Sequence, residues 1–456
     1  MEANEVLSKY KNGERDFRRV NLRGQSFQGQ DLSGADFSEA DIRGANFEKA
    51  NLTGTNFCQA KAGLQKRWVT VLLLVSWIVS GLSGFVSLLG GVVVAFIFHN
   101  DLDYQVFGWI SLILVIVVYS VILRQGLGAG FAIASAIASA SASTIASAIT
   151  STSASASASA SASTIASANT IIIAVIIIII ITSASAITSA IAITSASAIT
   201  SASAITSASA SAIAIAITIV VAFAFGLSEP VDIAVAIAVA LVLVLLAAYL
   251  GWRALKGDPR DAWIRTIAIA FAATGGTSFY KANLTDADFT GAILKSTDLR
   301  EANLTRTCWK DTIELDQARP GKTILADTAV RELLITGNGY NKSYVDANLR
   351  GANLTGANLN KANLKLADIS EATLEDANLE WTNLTEAQAI GTDFTHAYLT
   401  GACLEAWNID STTTLTNIDC RFVYLLEKPE PGTDNRERRP SSGDFQPGEF
   451  TKLFQE

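Results

Sequence analysis

The sequence predicts a β-solenoid written in two blocks, with a bundle of membrane-spanning α-helices between them. Two observations carry that prediction: a five-residue beat of large apolar residues at both ends of the 456-residue chain, and a long middle stretch almost free of charge. At the N-terminal end the beat falls at Phe17, Leu22, Phe27, Leu32, Phe37, Ile42, Phe47, Leu52 and Phe57, with alanine two places earlier at Ala35, Ala40, Ala45 and Ala50. It returns at Phe279, Leu284, Phe289, Leu294, Leu299, Leu304 and Trp309. A third run takes in Leu349, Leu354, Leu359, Leu364, Ile369, Leu374, Leu379, Leu384, Phe394, Leu399 and Leu404.

The period excludes a helix. Each helical residue advances by about 100°, so a step of five turns about 140° and spreads the apolar positions around the axis. On an extended segment residues two apart share a face, so alanine and the large residue of one repeat point inward together. The remaining residues must turn the chain before the next pair. Repetition gives a coil with stacked apolar columns inside and Asp, Asn, Thr, Lys, Arg and Glu outside, stabilised by each turn lying on its neighbour.

Segments such as ANLTGANLNKANL, reading A(D/N)LxG or close to it, resemble the pentapeptide-repeat family. That resemblance implies a right-handed quadrilateral β-helix with four repeats per turn, and makes the final block about three turns, or near 15 Å, at the usual inter-strand spacing. It extends to AKAGLQKRW (60–68), ATGGTSF (273–279), LTRTCW (304–309) and CRFVYL (420–425), which look like a membrane-attached, bacterial and most often cyanobacterial subfamily without an assigned activity. The expected organisation is N-terminal repeats at 1–63, a transmembrane region at 64–252, a connecting amphipathic helix at 253–276, repeats at 277–309, an insertion at 310–345, repeats at 346–410, and a cap and tail at 411–456.

Composition supports a two-part molecule: half the residues are hydrophobic and mean hydropathy is +0.34, yet the formal net charge is −8. Between Trp68 and Trp252 the only charged residues are Asp101, Asp103, Arg124, Glu229 and Asp232. Spans are expected at 68–98, 107–123 and 231–250, each long enough for a bilayer. The N-terminus is charged and carries no secretory signal pattern. Lys61, Lys66 and Arg67 precede the first span, Arg124 follows the second, and Arg253, Lys256 and Arg260 follow the last, so all three flanks are expected on the cytoplasmic side.

The tract 125–228 has no charge and alternates Ala or Thr with Ser or Ile over 132–168 and 183–219. Period two suggests a strand with two small faces, but no strand of that length occurs and little Gly, Pro, Asn or Asp is present to turn it. In lipid, unpaired strand edges would leave backbone groups unsatisfied, so helix is expected where the tract crosses, at 170–182 and 213–226. Placing Arg124 inside and Glu229 and Asp232 outside requires an odd number of crossings within the tract; of four or six spans in total, six is preferred. The alternative is a tolerated dipeptide expansion whose composition alone matters. An even count puts both repeat regions on the cytoplasmic side, where they are expected to stack as a single β-helix.

Elsewhere the chain offers little chemistry. The only histidines are His99, at the edge of a span, and His396, at an outward repeat position. Cys58, Cys308, Cys403 and Cys420 show no CxxC spacing, and Cys308 and Cys403 hold a position expected to be exposed. Gly337 and Gly339 lack the strand, loop and helix of a phosphate site and read as turns in the insertion, where TAVRELLI reads as a short helix. Asp and Asn rows read as hydrogen-bonded ladders rather than cation sites. The tail is expected to cap the solenoid with FQPGEFTKLF, after a mobile linker KPEPGTDNRERRPSSGD.

These readings exclude an enzyme and assign no catalytic, cofactor-binding or metal residue. The expected partners are a lipid bilayer and a protein of unknown identity, with no nucleic acid and no small-molecule substrate. Three functions remain. The first is a multi-pass membrane-anchored interaction scaffold with a cytoplasmic β-helix. The second is a transporter or channel component, against which stands the lack of ionisable residues inside the tract. The third is a gyrase-binding DNA mimic, as some soluble proteins of the resembled family are, against which stand Arg350, Lys361 and Lys365 among the coils.

Overall fold

The structure, a computed structural model, describes residues 1–65 and 273–454 apart from 430, 434 and 447, the helix Leu102–Gln125, and scattered residues between 67 and 270. It divides into two compact units, one formed by Met1–Gln65 with Ala273–Glu456 and one by Lys66–Ala272.

The first unit is a β-helix. Parallel bridges join residues 20 apart, as in Asp16 to Asp36, Asp36 to Asn56 and Asn358 to Asn378, so four five-residue repeats complete one turn. In regular turns the N–H of the central apolar residue donates to the turn above, as Leu22 does to the Asp41 carbonyl and Leu359 to the Asn378 carbonyl, both at 2.8 Å. A tight turn then closes within the repeat, as Gln25 N–H does on the Leu22 carbonyl at 3.1 Å. Its third residue has positive φ: glycine at Gly24, Gly34 and Gly54, but also Arg19 (59°), Lys361 (59°) and Trp381 (59°). Glycine reaches that region without steric cost, whereas the other residues are held there by the pairing on either side.

The two blocks are one solenoid. Asn46 bridges Ser278, Asn51 bridges Asn283, Asn56 bridges Asp288 and Lys61 bridges Ile293. The core columns run through this splice, with Phe47 stacked on Phe279 at 5.2 Å between ring centroids and Phe57 on Phe289 at 4.9 Å. Two glycines let the chain leave and return. Gly63 has φ +110° and a Cβ there would lie 2.4 Å from the Lys295 carbonyl oxygen; at Gly276 it would lie 2.0 Å from that of Ser296. The Gly63 N–H donates to Thr277 Oγ1 at 2.9 Å, and that hydroxyl donates to the Ile42 carbonyl at 2.8 Å, tying exit to entry.

Several boundaries differ from the sequence reading. Residues Ala3–Lys11 form a helix rather than repeats, and it closes the first turn: Val6 is fully buried and Tyr10 Oη donates to the Ser33 carbonyl at 2.8 Å. An open solenoid end exposes strand edges and core, which favours such a cover. Repeat pairing persists to Arg319 and resumes at Asn338, so the insertion is shorter than 310–345. Its helix, Thr328–Thr336, is N-capped by Asp327 and C-capped by Gly337 (φ +63°), and buries Val330, Leu333 and Leu334. Gly339 is not a turn residue. It occupies a central repeat position, where a Cβ would meet Leu359 and Tyr344 at 2.7 and 3.1 Å.

The last stretch is longer than the sequence suggested, with five rungs at Asn338, Asn358, Asn378, Tyr398 and Asp419. The charged tail segment is also more ordered than a mobile linker. Val423–Tyr424 pairs antiparallel with Arg438–Arg439, the Arg436 and Arg438 guanidiniums lie 4.2 and 4.3 Å over the Tyr424 and Phe422 rings, and Lys365 donates to Glu427 at 2.6 Å. Cation–π contacts and main-chain pairing give this polar segment partners that its composition does not advertise. The terminal helix Glu449–Phe454 then buries Phe450 and sets Phe454 edge-on against Trp407 at 5.2 Å.

In the second unit the helix Leu102–Gln125 contains the expected span 107–123 and has outward Trp109, Ile113, Ile116 and Val117. Its final carbonyls, Leu123 and Ile122, accept from the buried Arg253 guanidinium at 2.9 and 3.4 Å. Over the residues whose side chains are described, no helix is long and apolar enough to cross a membrane. The expected spans at 170–182 and 213–226 lie outside the described residues, as do most of 68–98 and 231–250 and half of the connecting segment 253–276, in which 265–267, 269 and 270 are helical.

Candidate interaction surface of the β-helix

Every repeat presents three outward side chains, one before the central residue and two after it. The first is usually Asp or Asn, and it serves its own repeat: Oδ1 accepts the main-chain N–H two residues on, as in Asp31 to Ser33 (3.0 Å), Asn46 to Glu48 (2.9 Å) and Asn378 to Glu380 (3.0 Å). Rungs between turns also occur, as in Asn51 Nδ2 to Asp31 (3.0 Å) and Asn408 Nδ2 to Gln388 (2.6 Å). These rows thus satisfy turn amides first and build ladders second. Among the described residues no group of three or more His, Cys, Asp or Glu is placed to hold a metal ion.

Ion pairs tie successive turns in both stretches, with Arg350 on Glu371 in the one after the insertion. In the composite one, Asp41 accepts from Arg23 at 2.5 Å and from Arg43 at 2.6 Å, Arg19 pairs with Glu39 at 2.8 Å, and Arg306 with Asp286 at 2.7 Å. Burial raises the Asp41 pKa, but the hydrogen bonds from Arg43 and Arg23 outweigh it and hold the carboxyl below the usual carboxylate range. Lys295 is nearly buried beside the splice; burial pulls its ammonium below the usual lysine range, and Glu314 at 3.9 Å offsets part of that.

The stretch after the insertion carries the outward apolar groups. Tyr340, Trp381 and Tyr398 share one face, and Leu366 and Ile390 lie on the faces that follow in sequence. Leu366 and Trp381 occupy the positive-φ turn position (61° and 59°), which bulky residues rarely take. The indole of Trp381 lies over Gly401, where a Cβ would come within 2.7 Å of the ring, and meets the Phe422 ring edge-on at 5.7 Å. In the composite stretch the only large apolar residue exposed to that degree among the described residues is Ile313.

The residues weighed for chemistry are dispersed. His396 is an exposed turn residue whose Nε2 lies 3.2 Å from Asn417 Nδ2, with Asp376 at 3.8 Å; His99 lies outside the described residues. All four cysteines are free. Cys403 is buried, not exposed as its position suggested, because the tail adds a rung on it at Tyr424; its sulfur lies 3.4 Å from Thr385 Oγ1, as that of Cys308 does from Thr290 Oγ1. Burial pushes the Cys420 thiol up to about 12 and also raises that of Cys58, so neither is a ready thiolate. Nothing in the repeat pattern alone marks Trp381 as a surface group. The available signal was an aromatic in a turn position one rung before a glycine.

The family model for pentapeptide repeats matches eight copies, over residues 16–54, 275–308, 347–385 and 372–406. Among solved structures, HetL, a pentapeptide repeat protein involved in heterocyst differentiation regulation from the cyanobacterium Nostoc sp. strain PCC 7120, is 14% identical, over 93% of this chain and 97% of its own, with TM-score 0.19. Rfr23 from the cyanobacterium Cyanothece 51142 is 22% identical over 30% of this chain and 62% of its own, with TM-score 0.13. A pentapeptide repeat protein from the Arabidopsis thaliana thylakoid lumen is 23% identical over 21% of this chain and 72% of its own, with TM-score 0.10. No match was found among the curated proteins. The repeat geometry and these eight matched copies agree, and the β-helical unit is a pentapeptide-repeat domain.

Proposed function

We propose that this chain is a membrane-anchored interaction scaffold, in which the second unit fixes location and the β-helix presents a partner surface on the cytoplasmic side. The observation that carries the scaffold reading is the outward aromatic face of the stretch after the insertion, with Trp381 held in a disfavoured turn conformation and seated on Gly401. The pairing on either side holds this turn position at positive φ whatever residue fills it, so an indole there is fixed in place, and an exposed, fixed indole is a common anchor at protein interfaces. Pentapeptide-repeat proteins are generally non-enzymatic scaffolds, and the scaffold reading takes the repeat domain in that sense.

Support for anchoring comes from the chain between Trp68 and Trp252, with five charged residues, and from the exposed apolar side chains of Leu102–Gln125. Proximity labelling in the native host from a tag fused after Glu456 tests both parts. A reproducible protein neighbour that is lost in Trp381→Ala, together with carbonate-resistant membrane association, is expected. An unchanged neighbour list in the variant would remove the assigned face, and release by carbonate would remove the anchor.

A further inference from the structure

The β-helix has an irregular joint where the turn ending near Trp309 meets the first turn after the insertion. In regular turns the positive-φ residue donates to the carbonyl 19 residues on, as Gly351 does to Ser370 at 2.8 Å. At the joint the register slips, and Arg306 N–H reaches the Gly351 carbonyl at 2.6 Å, where regular pairing would offer Arg350. Among the described residues, the N–H groups of Leu304 and Asn348 and the carbonyls of Ala302 and Asn348 consequently take no hydrogen bond. A cavity of about 590 Å³ opens on these groups, lined among others by Ala302, Asn303, Leu304, Lys322, Asn348 and Arg350.

The chemistry of these edges selects the occupant. Each edge offers both donors and acceptors, as a strand does, whereas an anion would use the donors alone. The charged side chains lining the cavity are Arg300, Lys322 and Arg350 against Glu301 and Glu371. Arg300 is held by Asp298 at 2.7 Å and Arg350 by Glu371, while Lys322 forms no ion pair among the described residues. Asn303 and Asn348 are exposed, so the slot is open to solvent.

We propose that this joint accepts an extended, acidic segment of another protein that pairs with the free main-chain groups of residues 302–304 and 348 at the slot, with a carboxylate set against Lys322. The proposal rests on the scaffold reading and adds to it the class of partner and a place of docking. Main-chain pairing supplies the affinity of such strand addition, and side-chain contacts at the slot rim supply the choice.

Phage-displayed random dodecapeptides panned on the detergent-purified full-length protein test it, with Lys322→Glu as counter-target. Enriched peptides are expected to carry Asp or Glu, to protect amides at 301–305 and 347–350 from hydrogen exchange, and to bind Lys322→Glu about ten-fold more weakly. N-methylation of alternate peptide amides is expected to abolish protection. Equal binding by the N-methylated peptide, the same protection from inorganic phosphate alone, or no enrichment would each overturn the proposal. Peptides that protect a different face, such as that of Trp381, would overturn this slot and leave the scaffold reading standing.

Discussion

The β-helix contains two stretches built on one repeat but held together differently. The composite stretch, drawn from 16–62 and 277–319, stacks aromatic rings: Phe17, Phe37, Phe57, Phe289 and Trp309 form one column at successive centroid spacings of 5.5, 5.6, 4.9 and 5.0 Å. The contiguous stretch after the insertion stacks aliphatic side chains, such as Leu359, Leu379 and Leu399. The aromatic columns cross the one place where adjacent turns are separated by more than 200 residues of chain, as Asn46 and Ser278 are. Closing a long loop costs more entropy than continuing a coil, although the cost grows only logarithmically with length. Larger buried faces at the splice offset that difference.

The largest test of this contrast is Phe57→Ala, which removes a ring packed between Phe37 and Phe289. A loss of about 3–5 kcal/mol is expected, against about 2–4 for Leu379→Ala in the contiguous stretch. Hydrogen exchange on the full chain should show Phe57→Ala opening amides of both 36–62 and 278–293, because the two segments share the column. Opening confined to one segment would mean that they are stabilised separately.

Next in size is the exit from the coil. Gly63→Ala places a methyl 2.4 Å from a backbone carbonyl at φ +110°, whereas Gly356→Ala, at φ +66°, meets nothing within 4 Å. The first should cost about 2–3 kcal/mol and the second about 1, since only the conformational term applies there. Equal melting shifts for the two variants would remove the splice argument.

Much of this contrast was legible in the sequence, and the reasons are local. A period of five admits few backbone solutions, so the apolar beat placed Phe17 to Phe57 and Leu349 to Leu404 in the core, where they are buried. Gly63 and Gly276 lie inside AKAGLQKRW and ATGGTSF, and their steric role comes from backbone carbonyls of other turns. What pattern did not reveal depends on contacts between distant segments. Ala3–Lys11 was missed because a nine-residue helix has little propensity signal without the solenoid end it covers. Cys403 and the charged tail were misjudged for a related reason, since the rung at Tyr424 joins segments that no repeat links. Of the candidate surface, the Asp and Asn rows were legible as ladders, but Trp381 was not, because the same positive-φ turn position is filled by Gly, Arg, Glu, Lys, Asp, Leu and Trp in different repeats and the residue type alone does not mark it.

Acidification should separate the stretches further. The folded Asp41 carboxyl titrates below its unfolded value of about 3.9, so its contribution is present above that pH and fades as pH falls through the folded value. Asp41→Asn is expected to lower stability at pH 7 by about 1 kcal/mol, a figure reduced for partial exposure, and to flatten the acid limb between about pH 4 and pH 2. Urea midpoints measured across that range check it; a parallel shift of the whole curve would mean that the Arg23 and Arg43 contacts carry no pH-dependent stability.

The smallest expected effect lies at the irregular joint. Tyr344 is buried in the first turn after the insertion, its hydroxyl has no hydrogen-bond partner, and burial pushes its pKa up to about 12. A buried hydroxyl without a partner costs about 1–3 kcal/mol of desolvation, so Tyr344→Phe should be neutral or stabilising by up to about 1 kcal/mol. Thr382, a buried hydroxyl in the contiguous stretch, donates to the Leu359 carbonyl at 2.8 Å, and Thr382→Val should lose about 1 kcal/mol. Opposite signs for two hydroxyl deletions would locate the poorer fit at the joint and not in the repeat itself. If Tyr344→Phe destabilised the protein as Thr382→Val does, the joint would be as well satisfied as a regular turn, and the two stretches would differ only in their columns.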